Sequence, residues 1–193
     1  MAKKLLIVID AQVDFIDGAL ANPMAQAAVP ALIELIKNHE GDVIATHDTH
    51  FNETQCSAAW PPINGAQAYE KTLEGQKLPV PHCIKLSEGW ELKKEVREAC
   101  TAKDNEPPKN FFCIDKYTFG WDGWEKYLKA FRFDEIVLAG FCTDICVVSN
   151  ALILRSIFPN MKITVVEKAC AGVTKESHDA AILTMKMCQI DVE

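Results

Sequence analysis

The sequence predicts an α/β protein, a three-layer α/β/α sandwich around a mainly parallel sheet of roughly six strands. Two observations carry this. Short apolar runs alternate with helical patterns along the whole chain, and the strongest runs are apolar at every position rather than at every second one. Continuous apolarity means that both faces of a strand are buried, as in a parallel sheet covered by helices on each side. With 193 residues the chain has the length of one well-buried domain, and residues 1–193 are read as one.

The first strand is "KLLIVID" (4–10), β-branched and ending on an acid. A helical pattern follows over 24–38, then a second strand, "DVIATHD" (42–48). Residues 49–87 break the rhythm with Pro, Gly and polar side chains, and a loop of that length is usually functional. A helix is predicted over 88–100, a loop over 101–109 ("TAKDNEPPK") and a weaker strand over 110–115 ("NFFCID"). After a helix at 122–132 comes the third strong strand, "DEIVLAG" (134–140), and a helix over 145–157. The chain closes with "KITVVE" (162–167), a helix over 174–187 started by Thr174 after Gly172, and the short run "CQIDV" (188–192).

Composition narrows the function classes. A formal charge of −7 gives no footprint for nucleic acid. No apolar run approaches the roughly 20 residues of a membrane span, and "MAKKLLIVIDAQVDF" acquires Asp10 and Asp14 too early for a signal peptide. The expectation is a cytoplasmic protein without membrane or nucleic-acid partners, whose acidic surface permits a homo-oligomer. The eight cysteines form no Cys-x-x-Cys pair and no zinc-finger spacing, so reduced thiols are expected rather than disulfides or a structural zinc site. Cys100, Cys113, Cys170 and Cys188 read as small buried hydrophobes.

Ligands of open parallel sheets bind beyond the carboxyl ends of the strands, so the reactive side chains that end strands matter most. Asp10 closes the first, Asp48 the second with His50 two beyond, Lys116 follows 110–115, and Cys146 sits in the turn after 134–140. A cysteine is nucleophilic as thiolate, which a neighbouring ammonium or a helix N-terminus favours. An Asp beside it can take the thiol proton and deliver it to a leaving amine. The same residues also have plain structural readings: a capping Asp, a solvated Lys, a packed Cys. A second constellation is Asp48, His50 and His82, with Glu74 able to complete it. Two imidazoles and a carboxylate are a usual divalent-metal set, although His47, His50 and His82 also read as ordinary loop histidines.

"LLIVIDAQVDF", "THDTH", "PVPHC", "DKYTFG" and "GFCTDICV" stand in the order found in the isochorismatase-like cysteine hydrolases, and the metal-site pair resembles the nicotinamidase branch. The resemblance implies a Rossmann-like fold, Cys146 as nucleophile, Asp10 as proton acceptor and donor, and Lys116 as the supporting cation. It implies a divalent metal ion, zinc first with iron and manganese compatible, held by Asp48, His50 and His82, with Glu74 resembling an additional acidic ligand. It further implies a cis peptide before Cys142 that turns the N–H groups of Cys142 and Cys146 into an oxyanion hole. The implied activity is hydrolysis of a small-molecule amide, most closely nicotinamide, in NAD salvage. Phe15 matches a pocket aromatic. Two departures bear on the substrate: Val13 replaces the common Asn of "QNDF", and "LPVPHC" lacks an aromatic, a role that Trp121 either fills from another loop or leaves open by packing against the sheet. A carbamoyl or ureido amidase, or an inactive binding protein on the same scaffold, are the alternatives.

Overall fold

A computed structural model describes residues 3–57, 66–102 and 111–193; residues 103–109 of the predicted loop lie outside these. Six strands, β1 (Lys4–Ile9), β2 (Gly41–Asp48), β3 (Phe111–Lys116), β4 (Glu135–Phe141), β5 (Lys162–Ala171) and β6 (Asp191–Val192), form one sheet in the order β3-β2-β1-β4-β5-β6. Every pairing is parallel. The predicted α/β/α class is therefore the observed one. Leu5, Leu6, Ile7, Val8 and Ile9 of the central strand are all fully buried, which is why that run is apolar throughout.

The helices are α1 (Val13–Ile16), α2 (Pro23–Asn38), α3 (Glu53–Ser57), α4 (Leu73–Lys77), α5 (Lys94–Thr101), α6 (Trp124–Lys129), α7 (Val148–Ile157) and α8 (Lys175–Met187). On one side α2 lies against β4 and β5 with α5 beside it; on the other α7 lies against β5 between α6 and α8. Local chemistry explains the ends. The Asn22 side chain accepts from the Met24 amide at 2.9 Å and Pro23 opens α2, where a missing N–H costs nothing. Thr174 and Ser177 cap α8 reciprocally, as Thr174 predicts. Among the described residues no helix is long and apolar enough to cross a membrane.

Several boundaries differ from the sequence expectation. The helix predicted over 88–100 begins only at Lys94. Residues 88–93 instead strap across the start of α1, with the Val13 and Asp14 amides donating to the Glu91 and Gly89 carbonyls and Lys93 donating to Ala11. Leu92 packs into the core from this strap four residues before Val96 of α5, a spacing that mimics a helical period. β5 runs four residues beyond the predicted 167, and the predicted 145–157 helix starts earlier, as a π-turn over Thr143–Val147. The four unpredicted elements α1, α3, α4 and a 3-10 turn at Tyr69–Lys71 are too short to show a period. None of the eight cysteines forms a disulfide, but Cys113 and Cys188 are exposed, against the expectation that they are buried; Cys113 lies on the edge strand β3 and Cys188 just past the end of α8.

The strand order reverses at β1: the chain steps outward through β2 and β3, then returns to place β4 on the opposite flank of β1. The crevice beyond the ends of β1 and β4 is therefore the expected binding site. Gly140 makes their close approach there possible. It has φ +124° and faces Ile9, and a Cβ on it would lie 2.1 Å from the Ile9 carbonyl oxygen. Replacing Gly140 by Ala is expected to cost about 3 kcal/mol or more, since backbone must move and the conformation suits only glycine. Urea denaturation checks this, and an unchanged midpoint would contradict the close approach.

Candidate active site

The strand ends deliver Asp10, Asp48 and Lys116 to one rim, with Cys146 in the π-turn beyond β4. Lys116 is fully buried, and its ammonium meets three partners: Asp10 Oδ2 at 2.7 Å, Asp48 Oδ1 at 3.1 Å and Cys146 Sγ at 3.6 Å. Burial alone would lower its pKa, but Asp10, Cys146 and Asp48 raise it well above the usual range, so the charge is retained. Burial pushes the Asp10 carboxyl up against the pull of Lys116. Burial likewise holds the Cys146 thiol well above its usual value, with Lys116 opposing. The sulfur thus faces a buried cation that also holds a carboxylate of raised basicity. That combination suits transfer of the thiol proton to a carboxylate on attack.

Asp10 is positioned by residues that sequence reasoning missed. Thr46 donates to Asp10 Oδ1 at 2.6 Å and accepts from the Asp10 amide at 3.1 Å. Asp10 itself has φ +45°, a left-handed conformation uncommon outside glycine and often held at functional sites. Gln12 spans β1 and β2: its Nε2 donates to the Asp48 and Trp90 carbonyls, and its Oε1 accepts from the Asp48 amide at 2.8 Å. Asp14 accepts from the Cys83 amide at 2.7 Å, which fixes the segment bearing His82. Gln12 and Asp14 lie within "LLIVIDAQVDF", so their place in that motif was the available signal; Thr46 had none beyond being polar in an apolar strand.

Asp48, His50, Glu74 and His82 form the second group, their ligand atoms all within 4.8 Å of one another. His50 Nε2 is 3.0 Å from Asp48 Oδ2 and 3.7 Å from Glu74 Oε1; His82 Nε2 is 3.6 and 3.5 Å from the same two oxygens. A parallel bridge brings the imidazoles together, with His50 N donating to Cys83 O and Lys85 N donating to His50 O. His82 Nδ1 donates to the Val80 carbonyl at 2.9 Å, leaving Nε2 to face the carboxylates. Burial would depress the His82 pKa, yet Asp48 and Glu74 push it up to about 10. Two carboxylates and two inward imidazoles make a donor set that demands positive charge and fits a divalent cation of the zinc class. Buried Tyr69 packs edge-on against both rings, at 4.8 Å from His50 and 5.1 Å from His82, and its hydroxyl donates to Leu78 O at 2.7 Å. Glu74 therefore joins the group, and His47 does not: it pairs with Asp115 at 3.4 Å and lies on Trp90.

A cavity of about 360 Å³ opens above these groups. Cys146, Cys142, Asp48, Glu74 and His82 mark its polar end, and Phe15, Leu20, Leu78, Phe119, Ile145 and Val173 its apolar walls. Phe15 stands where expected, edge-on to His82 at 5.5 Å. Trp121 does not line the cavity. It packs at 4.7 Å against Trp124, and Phe119 occupies the wall instead. The peptide bond between Phe141 and Cys142 is cis. Beyond it, the Ile145 and Val147 amides both close on the Cys142 carbonyl, forming the turn that carries Cys146.

The nicotinamidase of Escherichia coli is 26% identical over 208 residues, covering 97% of this chain and 92% of its own. The crystal structure of a pyrazinamidase/nicotinamidase from Streptococcus mutans superposes with a TM-score of 0.77 at 25% identity, covering 99% of this chain and all of its own. A pyrazinamidase from Pyrococcus horikoshii, solved in complex with zinc, shares the fold at a TM-score of 0.68 and 20% identity, covering 99% of this chain and 98% of its own. The Isochorismatase domain model matches residues 4–192, and the chain belongs to that family.

Proposed function

We propose that this enzyme is a metal-containing cysteine amidohydrolase that converts nicotinamide to nicotinate and ammonia through a thioester on Cys146. The observation that carries the reading is the single buried ammonium of Lys116, which touches the sulfur, the carboxylate of Asp10 and the carboxylate of Asp48 at once. The relatives named above, which act on nicotinamide or pyrazinamide, support the choice of a small aromatic carboxamide.

The steps follow from the groups present. The Cys146 sulfur attacks the carboxamide carbon while Asp10 accepts the thiol proton. Lys116 balances the negative charge that passes from sulfur to carboxylate. The amides of Cys142 and Cys146 hold the tetrahedral oxyanion. As the C–N bond breaks, Asp10 returns the proton to the departing ammonia. A water, deprotonated by Asp10, then adds to the thioester, and the C–S bond breaks to release the acid and restore the thiol. Asp48, His50, Glu74 and His82 would hold a divalent ion such as zinc, which supplies a Lewis acid for a ring nitrogen. The apolar walls exclude water from the ring, and Phe15 and Phe119 offer it two aromatic faces.

Three outcomes are expected. Cys146→Ala should lower ammonia release from nicotinamide by about 10⁴-fold or more, as loss of a nucleophile does; retained turnover would sink the covalent route. Lys116→Ala leaves two carboxylates in the interior without their cation, so stability in urea should fall by about 3 kcal/mol along with activity. Metal analysis of the purified protein should find one divalent ion per chain, lost in a His50→Ala/His82→Ala variant. Equal metal content in both proteins would contradict the assignment of that group.

A further inference from the structure

The loop over 117–123 joins β3 to α6 and carries Phe119, 46% exposed, in the pocket wall. Within the loop, Thr118 Oγ1 donates to the Gly120 carbonyl at 2.5 Å. Its hydrogen bonds to the nucleophile's helix run through one side chain. Asn150 is fully buried on α7, four residues after Cys146. Its Nδ2 donates to the Cys146 carbonyl at 2.8 Å and to the Phe119 carbonyl at 3.2 Å. Its Oδ1 accepts from the Trp121 amide at 2.9 Å and from the Trp124 indole at 2.8 Å. A primary amide has two donor hydrogens and an oxygen with two lone pairs, so every site is used. The orientation is unambiguous, because two of the partners only accept and two only donate. Gly120 completes the contact from the loop side: a Cβ there would lie 2.4 Å from Ile153 Cδ1, so the loop lies directly on α7.

We infer that Asn150 is a positioning residue for substrate selection, locking the Phe119 wall at a set distance from the Cys146 sulfur. The amide spans the two parts of the site that must agree, the carbonyl of the nucleophile and the backbone of the wall residue. Losing its loop bonds leaves the sulfur's own environment, Lys116 and Asp10, in place while Phe119 drifts. Binding of the ring suffers, and the chemistry at sulfur does not. This rests on the amidase reading only for the identity of the ring.

The test uses the full-length enzyme with its bound metal. In Asn150→Thr the hydroxyl back-bonds to the Cys146 carbonyl, as helical threonines do, while the loop bonds are lost. KM for nicotinamide should rise about tenfold, the scale of one or two lost hydrogen bonds, with kcat little changed. Phe119→Ala should give a similar rise, and the double variant no more than either single one. Gly120→Val, which crowds the loop against Ile153 and Ser149 of α7 while leaving the Asn150 side chain in the sequence, should reproduce the effect and serves if the Asn150 variant folds poorly. Alkylation of Cys146, resolved by peptide mass spectrometry, supplies a readout independent of turnover: the rate ratio of N-phenyl iodoacetamide to iodoacetamide should shift at least several-fold in every variant. An unchanged ratio, multiplicative KM effects, or a fall in kcat with KM unmoved would each overturn the inference. A wild-type enzyme that releases no ammonia from any carboxamide would overturn the amidase reading instead, and the alkylation ratio would still decide the role of Asn150.

Discussion

A lysine ammonium buried without access to water is the constraint on which the site depends. Taking such a charge out of solvent costs several kcal/mol even after relaxation, and it is tolerated because Asp10 and Asp48 lie at 2.7 and 3.1 Å. The three residues belong to three adjacent strands. Parallel pairing sets Asp48 directly opposite Lys116, and Asp10 follows Ile9 on the next strand over. The sheet's register thus sets the electrostatics, and an offset by one residue would turn one of these side chains to the other face. The sulfur of Cys146 completes the group from across the switch point, where β4 approaches β1 through Gly140.

Asp48 has two roles. One oxygen faces Lys116, and the other faces the imidazoles of His50 and His82. Burial opposes its ionisation, yet Lys116 and the two histidines hold its carboxyl well below the usual range. It therefore joins the nucleophile's cation to the cation-demanding group of Glu74 and the histidines, so that neither half is electrically independent. Backbone conformation supports the same junction: Asp10, itself a reactive carboxylate, and Cys83, next to His82, both adopt left-handed φ angles, +45° and +46°. Asp14 and Gln12 hold those segments with buried hydrogen bonds, which ties the opening motif to both halves of the site.

The parts legible in the sequence were those written by long-range burial. Strands buried on both faces appear as unbroken apolar runs, so the fold, the acids and lysine at the strand ends (Asp10, Asp48, Lys116) and the place of Cys146 in the turn after β4 could be read directly. The histidine and carboxylate set was legible as chemistry, but its convergence was not, because it depends on short elements such as α4 and the Tyr69–Lys71 turn that leave no periodic trace. Trp121 and Phe119 lie two residues apart in one loop, and which of them faces the cavity is decided by Asn150 and by the packing of Trp121 on Trp124. Such choices come from tertiary contacts. The 88–93 strap follows the same pattern, since Leu92 stands at helical spacing from Val96 of α5 and only the strap's bonds to Ala11, Val13 and Asp14 reveal otherwise.

Turnover through an acyl intermediate on the Cys146 sulfur, supported by buried Lys116, leaves a mass signature on the protein. Intact-protein and peptide mass spectrometry of samples acid-quenched during nicotinamide turnover tests it most directly. A nicotinoyl increment should appear during turnover, map to the peptide containing Cys146 and disappear when substrate is exhausted. Continued ammonia release with no acyl increment under quench, or an increment on another residue, would contradict it.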